Sequence, residues 1–196
     1  MNYDPRRNQK SSSKGGTPSS HEYHAPQFSD KPTYACEAPY PPIQVAERNP
    51  RNLQYILPYF AAPHGELTAL TQYCYQHWVV DAKLPDLSRD LMGISKVEMH
   101  HFDIFGRLIV LLGGDPKYAY LRNNRAAPWN GFLLSYQKDP KEMLLMNIKA
   151  EQDTINSYLR LAKELKDPYL CAVFKRLALD EEVHLNLFRK HLNELC

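Results

Sequence analysis

Four stretches of the chain repeat their apolar residues at alternating steps of four and three, the spacing that lays one face of a helix on the seam of a bundle. The first runs from about Pro63 to Ala82, with "RNLQYILPYF" as a short helix before it, and the second from about Asp86 to Leu112, stopped by "GGDP". Asp139, Pro140 and Glu142 give an N-cap, a first-turn proline and a capping acid to the third, which reaches about Lys166. Asp167 and Pro168 repeat that start for the fourth, which ends near Leu195. Strand signals are absent after about Leu53. Short links make antiparallel hairpins of helices one and two and of three and four, while Gly113 to Asp139 is long enough to cross the bundle. The expected fold is all-α: an up-down-down-up four-helix bundle with one long crossover.

Upstream, residues 1–48 are rich in Ser, Pro, Tyr and His and carry neither helical nor strand periodicity. They read as a disordered or extended arm, and 49–196 as the bundle domain. An arm with no periodic apolar face is expected to be dispensable for folding.

The seams carry acids where apolar residues belong. Helix two reads Leu87, Leu91, Ile94, Glu98, His101, Phe105, Leu108, Leu112, and helix four reads Leu170, Phe174, Leu177, Glu181, His184, Phe188, His191, Leu195. Helix one places Glu66 on the seam with Leu70, Tyr73, His77 and Val80, and helix three places Glu151 there with Leu144, Ile148, Ile155, Tyr158 and Ala162. Counted from the turns, Glu66 and Glu98 lie 18 and 14 residues from Leu84, and Glu151 and Glu181 lie 16 and 14 from Asp167. At ~1.5 Å per residue the members of each hairpin sit within about a turn of one level. Four carboxylates converging without cations would repel one another and lose hydration. Two divalent ions cancel four negative charges, and two imidazoles complete the donor set; a buried ion-pair network is the structural alternative. Oxygen-rich ligation with one nitrogen per ion suits Mn or Fe, leaves Zn open and disfavours Cu. His100 points off the seam, His77 and His191 lie turns away as core or rim residues, and Asp180 and Glu182 flank the seam as solvated or supporting acids. Tyr158 reads as core packing, with a hydrogen bond to a metal-bound species as its alternative.

The segments "GELTALTQYCYQHW", "GISKVEMHHFDIFGRLIVLLGGDP", "NIKAEQDTINSYLRLAKELKDP" and "LALDEEVHLNLF" resemble the four helices of the ferritin-like superfamily, in its rubrerythrin and manganese-catalase-like branch. The resemblance implies Glu66, Glu98, His101, Glu151, Glu181 and His184 as ligands of two divalent metal ions, Mn or Fe. It also implies hydrogen peroxide or dioxygen as substrate. Thr154 stands where rubrerythrins carry a further glutamate, and the four cysteines form no C-x-x-C pair that could hold a rubredoxin-type iron. Both differences lean the expectation toward a catalase-like reaction, which needs no electron donor, over a rubrerythrin-like peroxidase. Ferroxidase-type iron binding is the second expectation and a spore-coat-type structural component the third, since manganese-catalase relatives occur in such coats.

Charge adds only exclusions. With 24 basic and 22 acidic side chains and no basic run interleaved with aromatics, no nucleic-acid partner is expected. No stretch approaches the ~18 apolar residues of a membrane span, and the N-terminus has no apolar signal segment. A cytoplasmic homo-oligomer, a dimer or larger, is the expectation.

Overall fold

The computed structural model describes residues 34–123 and 125–195. Its helices are α1 (Leu53–Phe60), α2 (Glu66–Val80), α3 (Pro85–Leu111), α4 (Pro140–Glu164) and α5 (Pro168–Glu194). The starts follow the punctuation. Asp139 accepts from the Glu142 amide, Asp167 accepts from those of Tyr169 and Leu170, and each of α3, α4 and α5 has a proline in its first turn. After α3, Gly113 takes a φ of +91°, a left-handed conformation that only glycine adopts freely, and the chain turns out of the helix.

Helices α2 and α3 form one hairpin and α4 and α5 the other, joined by the long crossover as expected. Across the two hairpins, Gln76 of α2 and Asn147 of α4 exchange a pair of buried amide hydrogen bonds of 3.0 and 2.7 Å. The apolar core is split. One cluster gathers Ile56, Phe60, Phe105, Tyr158, Phe174 and their neighbours, and the other gathers Tyr73, Leu91, Ile94, Met143, Leu144 and Phe188. On α3 the passage from one cluster to the other runs through Glu98 and His101, and on α5 through Glu181 and His184. A polar layer therefore cuts the core between two apolar blocks.

Two expectations need correction. The crossover contains a hairpin, β1 (Ala119–Arg122) paired antiparallel with β2 (Arg125–Pro128), in the register Ala119 to Pro128 and Arg122 to Arg125. Asn123 turns it with a φ of +51°, a conformation Asn tolerates, and the "RNNR" stretch was the local signal for such a turn. Beyond the hairpin, the Trp129 indole donates to the Thr68 hydroxyl (3.0 Å), and the Gln72 amide pairs with both main-chain groups of Ser135 (2.8 and 2.6 Å). The crossover is thereby stitched onto α2.

The arm is the second correction. Its residues 1–33 lie outside the described residues, but residues 34–48 pack on the bundle. They hold no periodic apolar face because buried polar groups of α5 and its N-cap do the holding. Asp180 accepts from the Cys36 amide (2.7 Å) and the Tyr40 hydroxyl (2.5 Å), the Arg176 guanidinium donates to the carbonyls of Ala38 (2.7 Å) and Cys36 (2.8 Å), and Asp167 accepts from the Ala46 amide (2.9 Å). Tyr40, Ile43 and Val45 pack against the first apolar cluster.

Removing this segment should therefore destabilise the protein. A chain beginning at Asn49 should melt several degrees below one beginning at Tyr34, since each lost hydrogen bond of this kind contributes about 0.5–1.5 kcal/mol and each kcal/mol moves the midpoint by about 2–4 °C. Equal midpoints by differential scanning calorimetry would contradict the packing role.

Candidate metal centre

The polar layer brings together all six residues singled out by the seam pattern. Glu66 opens α2, Glu98 and His101 come from α3, Glu151 from α4, and Glu181 and His184 from α5; each is at most 4% exposed. His101 Nδ1 lies 3.1 Å from Glu98, 3.3 Å from Glu181 and 4.0 Å from Glu66. His184 Nδ1 lies 3.0 Å from Glu98, 3.0 Å from Glu181 and 4.0 Å from Glu151. Glu98 and Glu181 are thus shared between two clusters, each closed by its own imidazole and its own outer glutamate. In both clusters the ligand atoms lie within 4.8 Å of one another, close enough to hold a metal ion.

The layer has an internal two-fold likeness. Glu66 and Tyr73 are seven residues apart on α2, as Glu151 and Tyr158 are on α4. Because the two helices run in opposite directions, the Tyr158 hydroxyl donates to Glu66 and the Tyr73 hydroxyl donates to Glu151. Tyr158 packs in the core as expected and also donates to Glu66, while the matching contact of Tyr73 was missed. The repeated Glu-x6-Tyr spacing was the signal that could have found it. Of the two flanking acids, Asp180 is fully buried and accepts from His101 Nε2 at 3.0 Å, whereas Glu182 is exposed. His77 hydrogen-bonds Ser88 and His191 hydrogen-bonds Asp90, both away from the centre, and His100 packs its ring against Tyr40.

The donor chemistry fits a pair of cations. His184 Nε2 faces the Tyr34 carbonyl at 2.9 Å, and a carbonyl only accepts, so the proton is on Nε2 and the Nδ1 lone pair of a neutral ring faces the Glu98 and Glu181 carboxylates. Lone pair against carboxylate is repulsive unless a proton or a metal ion lies between. Glu181 Oε1, buried, has no hydrogen-bond partner among the described residues beyond the 3.3 Å approach of His101 Nδ1, and a metal ion there would bind it.

Without metal, protons do that work. Burial works against the charged form of both imidazoles, yet the surrounding carboxylates outweigh it and hold His101 and His184 well above the ordinary range. Burial, reinforced by the charge on Glu98 and Glu181, pushes the acids of Glu66 and Glu151 well up. Burial would also raise Glu98, but His184 and His101 hold it below its ordinary value. The Tyr73 and Tyr158 phenols are pushed up by burial and then by the glutamates they face.

Comparisons with known proteins identify the fold and its family. Residues 63–196 match the family model described as a ferritin-like domain. A bacterioferritin from Desulfovibrio desulfuricans is 28% identical over 130 residues, 63% of this chain and 65% of that protein's length, so the chain spans just under two thirds of this relative. The structure of a manganese catalase from Anabaena superposes with a TM-score of 0.67 at 24% identity, covering 78% of this chain and 76% of that one. That of the Desulfovibrio bacterioferritin, whose diiron site is described in different catalytic states, gives 0.59 at 25% identity over 76% and 84%.

The raised groups give a pH dependence with a definite sign. Above ~4.3 the unfolded chain releases the protons of Glu66 and Glu151, and above ~6.5 those of His101 and His184, while the folded metal-free protein keeps them. The depressed Glu98 contributes in the other direction, and its stabilisation is lost as pH falls. Chelated protein should therefore be most stable at about pH 4.3 and lose stability as pH rises from there, more steeply above about 6.5. Metal binding should displace up to about four protons and tighten with pH. Calorimetric titration in buffers of different ionisation enthalpy measures the release; metal uptake without proton release would contradict this reading.

Proposed function

The chain belongs to the ferritin-like domain family over residues 63–196, and from that premise we propose that it is a di-metal oxidoreductase acting on hydrogen peroxide, with two manganese or iron ions. Glu66, Glu98, His101 and Glu181 would hold one ion, and Glu98, Glu151, Glu181 and His184 the other. The observation that carries the reading is a cavity of about 630 Å³ that reaches this layer from the side of α2 and α4. Its wall includes Leu133 and Ser135 of the crossover, and Glu66, Tyr73, Glu151 and Tyr158 line its inner part. Since Glu66 and Glu151 are only 4% and 3% exposed, what reaches them is a molecule of peroxide or dioxygen size rather than a large substrate.

When bound, the metal pair supplies a two-electron couple, so that one peroxide is reduced to water and a second is oxidised to dioxygen, with no outside donor. The chain's part is placement and proton handling. Glu98 and Glu181, one from each Glu-x-x-His helix, set the separation of the two positions. Glu66 and Glu151 face the cavity from the outer side of each position, and the Tyr158 and Tyr73 hydroxyls that donate to them are the groups there able to hand on a proton. The Tyr158 and Tyr73 hydroxyls orient those two carboxyl groups, and the apolar blocks on either side keep bulk water out. Thr154, also on the cavity wall, leaves room where a further glutamate would otherwise fill it.

Iron oxidation is the second reading, supported by the likeness to the Desulfovibrio bacterioferritin. Association is part of the proposal, because Trp78 and Phe132 remain 67% and 95% exposed. Among the described residues no helix is long and apolar enough to cross a membrane.

Protein loaded with Mn(II) should evolve dioxygen from peroxide without any reductant, and chelation should abolish it. A loaded protein inert to peroxide that instead consumes added Fe(II) and dioxygen would replace this reading with the second.

A further inference from the structure

The two imidazoles of the centre use both of their nitrogens. Each Nδ1 faces Glu98 and Glu181, so the orientation of each ring is set at Nε2. For His101 the Nε2 partner is Asp180, 3.0 Å away. For His184 it is the main-chain carbonyl of Tyr34, 150 positions earlier in the chain and 2.9 Å away. Asp180 in turn takes two of its donors, the Cys36 amide and the Tyr40 hydroxyl, from the same segment. Every outward contact of the histidine pair therefore leads to residues 34–40, directly or through one side chain.

This segment is seated with more care than packing alone requires. The Tyr34 hydroxyl donates to Asp90 of α3 at 3.0 Å, and its ring fills the space above Gly93, where a Cβ would lie only 2.1 Å from ring carbon Cε2. A glycine in the middle of a helix costs about 1 kcal/mol relative to alanine, and the ring that needs the gap belongs to the residue whose carbonyl holds His184. At the other end the Tyr40 ring lies beneath the Arg176 guanidinium, 3.9 Å from centroid to carbon, and Arg176 Nη1 donates to Asp180 at 2.6 Å.

We propose that residues 34–40 are a positioning strap of the metal centre, fixing His184 through the Tyr34 carbonyl and His101 through Asp180, with Gly93 as the slot that admits it. The proposal rests on the di-metal reading of the centre. Its consequence is that metal retention is controlled from outside the bundle, by a segment that supplies no ligand. Supporting contacts of this kind typically change metal affinity by about 10–100-fold.

The test uses the full chain with Gly93→Ala, whose methyl group displaces the Tyr34 ring while favouring the helix, and Tyr40→Phe, which keeps the ring and removes only the hydroxyl. Each protein is loaded with Mn(II) or Co(II) and challenged with excess chelator, while circular dichroism follows helix content. Gly93→Ala should lose metal at least about tenfold faster than wild type at unchanged helix content, with an altered visible Co(II) spectrum, and Tyr40→Phe should shift both readouts in the same direction. A strap that merely adds stability would leave the Co(II) spectrum alone. Wild-type release rates and spectra in both variants overturn the strap; if Gly93→Ala does not fold, Tyr40→Phe decides by the same criterion. A wild-type chain that binds neither metal overturns the di-metal reading itself, and the strap with it.

Discussion

Four carboxylates and two imidazoles, nearly excluded from water, occupy one layer through the middle of this bundle, and their charge must be balanced where they stand. In the metal-free protein the balance is made with protons, held on two imidazoles that carboxylates surround and on two acids that burial and neighbouring charge keep neutral. Two divalent cations would carry the same four positive charges. The Glu181 oxygen, met only by His101 Nδ1 at 3.3 Å, and the orientation of the His184 lone pair toward Glu98 and Glu181 leave positions that such cations would fill. The two apolar clusters on either side supply the burial that gives the layer its electrostatic leverage.

Around that layer the architecture repeats itself. Each hairpin supplies a glutamate from one helix and a Glu-x-x-His pair from the other, and each outer glutamate is oriented by a tyrosine from the opposite hairpin. The likeness breaks at the outer nitrogens, where His101 meets a carboxylate and His184 a neutral carbonyl. An imidazole hydrogen-bonded to a carboxylate is the more basic ligand, so the His101 position is the stronger donor site of the two.

Much of this was legible in the sequence because it rests on periodicity. The steps of four and three placed Glu98, His101, Glu181 and His184 inward before any coordinates, and the Asp-Pro pairs at Asp139 and Asp167 marked two helix starts that the structure reproduces. What escaped has a common physical cause. Residues 34–48 are held by hydrogen bonds to Asp180, Arg176 and Asp167, which leave no apolar pattern in the segment itself. The β1–β2 hairpin is four residues a side with mostly exposed positions, too short to show alternation. Tyr73 looked like any aromatic on a seam until its pairing with Glu151 across antiparallel helices gave it a role.

The central claim is that the layer exists for metal and is strained without it, and Glu151 tests it most directly, being an outer acid with no histidine on its own helix. Glu151→Leu keeps a similar volume and removes one of the acids whose burial is unfavourable. Melting curves of wild type and variant, with chelator and with Mn(II), are the measurement. The account predicts that the chelated variant melts at or above the chelated wild type, and that Mn(II) stabilises the wild type but not the variant. A structural ion-pair network would instead strand charge, costing roughly 3–5 kcal/mol, so a chelated variant melting many degrees lower would contradict the account.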